Sequence, residues 1–141
     1  MNKLFACGML ALAVMFAGTA NAAEQFADGA KVTITKVADG KNIHNGAHLT
    51  LRKQSGQGAL GDGKYIIEGQ NNYLGAFKGA SSAGTSVGYG DTKTVWVLHK
   101  NSGGWSIMAA DNEANTVTVN GEGRLELQRN QGRKNQVFLI K

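Results

Sequence analysis

The chain has 141 residues, with 15 Lys and Arg against 10 Asp and Glu, 20 Gly, no Pro and one Cys. That length carries one domain with a single core, and one cysteine excludes an intrachain disulfide or a thiolate metal site. The net charge of +5 is modest and spread along the chain, which does not mark a nucleic-acid binder.

The first 23 residues read as a secretory signal peptide. Met1-Asn2-Lys3 is a short positive start, Leu4 to Gly18 is apolar, and Ala20-Asn21-Ala22 is a small-x-small cleavage site. The apolar run is shorter than the roughly 20 residues a spanning helix needs. Cleavage near Ala23 or Glu24 leaves one domain over 24–141, without Cys7 and with no membrane span, destined for secretion or the periplasm. Losing Lys3 lowers the charge of that domain to about +4.

The remainder reads as all-β. Abundant Gly without Pro suits many tight turns, and no helix-period apolar run follows residue 23. Short apolar runs bounded by Gly, Asn and Asp predict strands at 31–37, 41–45, 48–53, 64–68, 72–77, 85–89, 94–99, 105–109, 116–119, 124–129 and 136–141. Thr116-Val117-Thr118-Val119 and Arg124-Leu125-Glu126-Leu127-Gln128-Arg129 alternate at period two, so each buries one face. Lys78 to Gly84 is a Gly, Ala and Ser loop.

Self-similarity adds a fold-level clue. His48 to Lys53 (HLTLRK) matches Arg124 to Arg129 (RLELQR) at an offset of 76 residues, twice 38, which invites a middle copy between Asn71 and Lys100. Eleven or twelve short strands in three degenerate units of four predict a β-trefoil. The strand closing each unit then carries Tyr65, Trp96 or Phe138, and the three rings are expected in one layer about a threefold axis.

The closing strands carry a family resemblance. Asn135-Gln136-Val137-Phe138-Leu139-Ile140 resembles the Gln-x-Trp element of ricin-type β-trefoil lectins with Phe for Trp, and Thr94-Val95-Trp96 keeps the Trp with Thr for Gln. Gly63-Lys64-Tyr65 keeps only an aromatic, while NNYLGA (71–76) and WSIMAAD (105–111) are similar to the fascin-like branch. The resemblance spans 31–141 and implies a carbohydrate-binding module. It also implies sugar pockets with an Asp on the second strand of a unit and an aromatic just after the third. In the third unit those places fall on Thr118 and Gln128, in the first on His44 and Arg52, and in the middle on Gly75 and Tyr89 or Gly90.

A sugar site needs a ring face to stack on and planar polar groups to hold hydroxyls. The candidates are Asn135, Gln136, Gln128, Arg129 and Tyr89, with Arg52 and Arg129 offering charge-assisted bonds to acidic sugars. Gln136 has a second reading as a brace within its own unit, and Trp105 as either rim or core. His44, His48 and His99 form no catalytic motif, and the Asp-Gly and Asp-Asn pairs read as turn formers. The expectation is a non-enzymatic glycan binder without cofactor or metal, whose partners are glycans or a glycosylated cell surface. The alternative is a secreted β-trefoil that binds a protein as inhibitor or adaptor. Both carry function on loops over a rigid barrel.

Overall fold

The structure, a computed structural model, describes residues 25–44 and 48–141. The expected signal peptide and the Asn45-Gly46 turn lie outside these residues. Eleven strands follow one another with no α-helix among them: β1 (Ala30–Val32), β2 (Ile34–Lys36), β3 (Leu49–Gln57), β4 (Gly63–Glu68), β5 (Tyr73–Ala76), β6 (Ser86–Gly90), β7 (Val95–Asn101), β8 (Gly104–Ala109), β9 (Asn112–Val119), β10 (Leu125–Arg129) and β11 (Phe138–Ile140). Two single 3-10 turns, Phe77–Gly79 and Lys134–Gln136, interrupt the loops.

Strand pairing divides the chain into three units, 30–57, 63–101 and 104–140. Within each unit the first strand ladders antiparallel to the last, with Val32 opposite Leu49, Tyr65 opposite Trp96 and Trp105 opposite Phe138. Each last strand also ladders to the first strand of the next unit, and the register repeats. Thr50 faces Glu68, Val97 faces Met108 and Leu139 faces Thr35. Each of these follows the previous row by one residue on the last strand and by three on the first. Six strand segments therefore close on themselves, and closure leaves the barrel without a free edge.

This register corrects two expectations. Trp96 and Phe138 are equivalent, but their third counterpart is Leu49; Tyr65 is the counterpart of Trp105 and Val32. All six are buried, so Tyr65 shares the layer without sharing the symmetry position. The 76-residue offset is equally misleading. It matches β3, a closing barrel strand, with β10, the third strand of its unit, and the likeness reflects a common alternation.

The first unit is short. Val32 and Leu49 lie 17 residues apart, against 31 for Tyr65 and Trp96 and 33 for Trp105 and Phe138. Units two and three use the extra length for a hairpin, β5–β6 and β9–β10. Among the described residues the first unit has a turn with a single bridge from Asn42 to Thr35, in place of the strand expected at 41–45. The expected strand 31–37 is split at Thr33, which exchanges backbone hydrogen bonds of 2.8 and 3.0 Å with Lys141. The break lets β1 pair with β3 and β2 with β11.

The core is built from period-two faces. Alternate residues of β4, such as Tyr65 and Ile67, point inward with no exposed area, as do Trp96 and Leu98 of β7. Such aromatic burial contributes on the order of 2–3 kcal/mol per side chain, and the polar tips are satisfied. Trp96 Nε1 donates to the Leu74 carbonyl at 2.8 Å. Phe26, ahead of the first strand, lies against Trp105 with ring centroids 4.6 Å apart and meets Tyr65 edge-on at 6.1 Å. Trp105 is core, only 5% exposed.

Candidate functional site

The hairpins of units two and three bring side chains beside the segment leading into the closing strand. In unit three this makes a pocket of about 270 Å³ lined by Thr118, Gln128, Arg129, Gln131, Arg133, Asn135 and Gln136. Four of the five candidate residues meet here, and Tyr89 does not.

Gln136 is buried and its amide is committed within the fold. Its Oε1 accepts from the backbone N–H of Gln131 at 2.9 Å and of Arg133 at 3.3 Å. Its Nε2 donates to the Arg129 carbonyl at 2.8 Å and to Thr118 Oγ1 at 3.2 Å. An amide with two donors and one acceptor oxygen has little left for a ligand, so Gln136 braces its own unit as this structure stands. Asn135, half-buried, gives Nδ2 to the Val119 carbonyl at 3.0 Å. Asn130 Oδ1 accepts from Gly132 N–H at 3.1 Å, and Gly132 takes φ +65°, a conformation that favours glycine.

Gln128 donates its Nε2 to Glu126 Oε2. Glu126 Oε1 accepts from Asn120 Nδ2 at 2.8 Å. The Asn120 bond, then the Gln128 bond, hold the Glu126 carboxyl below its ordinary range. Asn120 Oδ1 in turn accepts from the N–H groups of Glu122 and Arg124, closing the β9–β10 turn. Arg52 is absent from this pocket. It stands on β3 in unit one, paired with Glu68 at 3.1 Å.

Unit two has a pocket at the matching place, about 400 Å³, lined by Gly75, Phe77, Lys78, Gly88, Tyr89, Thr92 and their neighbours. Its hairpin pairs Leu74 with Tyr89 and Gly75 with Gly88; the hairpin of unit three pairs Val117 with Leu127 and Thr118 with Glu126. Matching the buried Leu74 to the buried Val117 puts Gly75 at Thr118, Gly88 at Glu126 and Gly90 at Gln128. Thr118 and Gln128 of one pocket, and Glu126 beside it, are thus reduced to hydrogen in the other.

The same match places Tyr89 at the position of Leu127, a core residue, while Tyr89 also borders this pocket. Its ring packs against the hydrophobic core and meets His44 edge-on at 4.9 Å. Burial pushes its phenol well above the usual tyrosine range. The exposed ring at this pocket is Phe77, 64% exposed, with Lys78 Nζ 5.4 Å from its centroid. Sequence reasoning passed over Phe77 as the end of strand 72–77. The signal was its place before Lys78-Gly79-Ala80, where alternation stops.

A wider depression of about 490 Å³ is lined by Ile43, Tyr89, Asn120, Arg124 and Glu126 among others, but Asn120 and Glu126 are engaged with each other. Elsewhere His99 Nδ1 donates to the buried Asp62 carboxylate at 2.8 Å, and Glu113 accepts the Ala59 N–H at 3.1 Å. Both contacts fold the 58–62 loop onto the barrel. Among the described residues no group of three or more His, Cys, Asp or Glu is placed to hold a metal ion. No helix among them is long and apolar enough to cross a membrane.

No family model and no curated protein matches this sequence. Solved structures do match. The Macrolepiota procera ricin B-like lectin, in complex with lactose, aligns with a TM-score of 0.63 at 16% identity, covering 84% of this chain and 99% of the lectin. The Rhizoctonia solani agglutinin aligns at 0.59 with 15% identity, covering 84% and 98%. The designed threefold-symmetric protein ThreeFoil aligns at 0.55 with 17% identity, covering 80% and 98%. At such identities the likeness speaks for the fold alone, and with the repeating register it gives this chain a β-trefoil fold.

Proposed function

We propose that the protein is a secreted or periplasmic carbohydrate-binding module, not an enzyme, that works through the loop pockets of units two and three. The observation that carries this reading is the pair of pockets at register-equivalent places. One presents guanidinium and amide groups, and the other an exposed ring beside a glycine floor. Those are the two parts a sugar requires, polar groups for hydroxyls and a ring for the C–H face. The lectins among the structural neighbours, one of them bound to lactose, support the same reading.

A single shallow pocket of this kind gives about millimolar affinity, roughly 4 kcal/mol. Useful strength then comes from both pockets or from several copies on one surface. The test is a glycan array on the protein lacking residues 1–23, followed by titration of each positive glycan into Phe77→Ala and Asn135→Ala. Binding that neither variant weakens would place the sugar elsewhere. A second reading, a protein-binding module, is favoured by Leu60, 66% exposed in the loop joining β3 and β4. It takes over if the array is blank.

A further inference from the structure

Arg129 and Arg133 line one small pocket, both exposed, and among the described residues neither is paired with a carboxylate. A surface arginine is ordinarily a solvated charge. These two differ because the loop between them is built. The single Gln136 amide fastens it at the Arg129 carbonyl, the Gln131 N–H and the Arg133 N–H. Asn130 fixes the intervening turn at Gly132. Glu126, the nearest acid along β10, is held by Asn120 and Gln128 and does not line this pocket. The loop's ordering cost is therefore met during folding, before any ligand arrives.

Resting on the glycan-binding reading, we propose that the unit-three pocket recognises an acidic sugar, one carrying a carboxylate or a sulfate. Two arginines lining one pocket offer guanidinium forks that match the planar carboxylate and the tetrahedral sulfate, whose oxygens accept paired N–H bonds. The volume of about 270 Å³ lies at the small end of ligand sites, so the pocket takes one charged residue and leaves the rest of the glycan outside. Thr118 fits this assignment. It stands on the pocket wall with its hydroxyl taken by Gln136, and it brings no negative charge against the ligand.

The experiment titrates the protein lacking residues 1–23 with lactose, sialyllactose and a sulfated lactose, with sodium sulfate as competitor. The acidic sugars should bind about tenfold tighter than lactose, the worth of one charge-assisted pair. Sulfate should compete, and both Arg129→Gln and Arg133→Gln should erase the advantage. Arg133→Lys, which keeps the charge but not the fork, should recover only part of it. Lys31→Gln with Lys41→Gln, exposed charges outside the pocket lining, should leave it intact. Thermal melts of each variant confirm folding. Acidic sugars no tighter than lactose, or an advantage that survives both arginine variants, would overturn the proposal while the glycan reading stands. An advantage lost equally in the lysine control reduces it to net charge and also overturns it. No saccharide bound at all would sink both readings. A DNA oligonucleotide outcompeting the sulfated sugar through the same arginines would make the pocket a phosphate reader.

Discussion

The Tyr65 hydroxyl holds both backbone groups of Phe26, accepting from its N–H at 2.7 Å and donating to its carbonyl at 2.9 Å. A buried phenol on the first barrel strand of unit two thereby fastens the segment that precedes unit one. Phe26 then lies on Trp105 of unit three, so the segment ahead of unit one bridges units two and three. Tyr65→Phe keeps the ring in the core and removes the clamp. It should cost about 1–3 kcal/mol, because the Phe26 N–H loses its partner in a part-buried place. Urea denaturation measures the loss, and a change under about 0.5 kcal/mol would contradict the clamp.

Phe138 and Trp105 face each other in the ladder with both rings buried. Phe138→Ala should cost about 3–5 kcal/mol, the range for emptying an aromatic core site. That approaches the whole stability of a domain this size. Leu49→Ala, at the equivalent position of unit one, should fall in the 2–5 kcal/mol range for a buried leucine. A loss below about 1 kcal/mol at either site would refute the threefold register.

The sequence made some of this legible and hid the rest for identifiable reasons. Period-two alternation placed β9 and β10, because each has one face against the core, and the Trp96 and Phe138 elements pointed to the trefoil. Alternation also misled. It is common to every half-buried strand, so HLTLRK resembled RLELQR although one segment closes the barrel and the other belongs to a hairpin. The shortened first unit was invisible because His44-Asn45-Gly46 reads equally as a hairpin or a bare turn. At the site, residue type alone could not separate the committed amide of Gln136 from the exposed guanidinium of Arg129; only their partners do.

Gln136 and Asn135 should therefore behave differently. Gln136→Ala removes four hydrogen bonds at a buried position and should destabilise by about 1–3 kcal/mol, with faster amide exchange at Gln131 and Arg133. Asn135→Ala removes one hydrogen bond, to the Val119 carbonyl, at a half-buried position and should cost about 1 kcal/mol or less. Hydrogen exchange read by mass spectrometry separates the two. Unchanged protection of 129–133 in Gln136→Ala would show that the brace does not order the loop.

Glu126 links the hairpin to pH. Its carboxyl is held below the ordinary range by Asn120 first and Gln128 second. A depressed folded value means the contribution is present above the unfolded pKa and fades as pH falls through the folded one. The Asn120 and Gln128 side-chain amide resonances should shift together in that acid window, below the usual glutamate midpoint. Asn120→Ala should move the Glu126 midpoint upward. A midpoint at the ordinary glutamate value in the parent protein would contradict the hydrogen-bonded arrangement.

The glycine floor of unit two separates stability from binding. A Cβ added at Gly88 or Gly90 meets no atom within 4 Å, whereas one at Gly75 would lie 2.5 Å from the Thr92 carbonyl oxygen. Neither Gly88 nor Gly90 adopts positive φ, so nothing in the backbone demands glycine there. Glycine in a strand costs roughly 0.5–1 kcal/mol relative to alanine, and β-branched residues suit strands better still. Gly88→Val should therefore leave stability unchanged or raise it by about 1 kcal/mol while filling the pocket beside Phe77. Gly75→Ala should destabilise, since the clash is with backbone. If the pocket is a sugar site, Gly88→Val and Gly90→Gln should weaken neutral glycans severalfold without touching any contribution from Arg129 and Arg133. Thermal melts and parallel titrations of the two variants decide it. A better-folded Gly88→Val that binds every glycan as tightly as the parent would strike unit two from the binding surface.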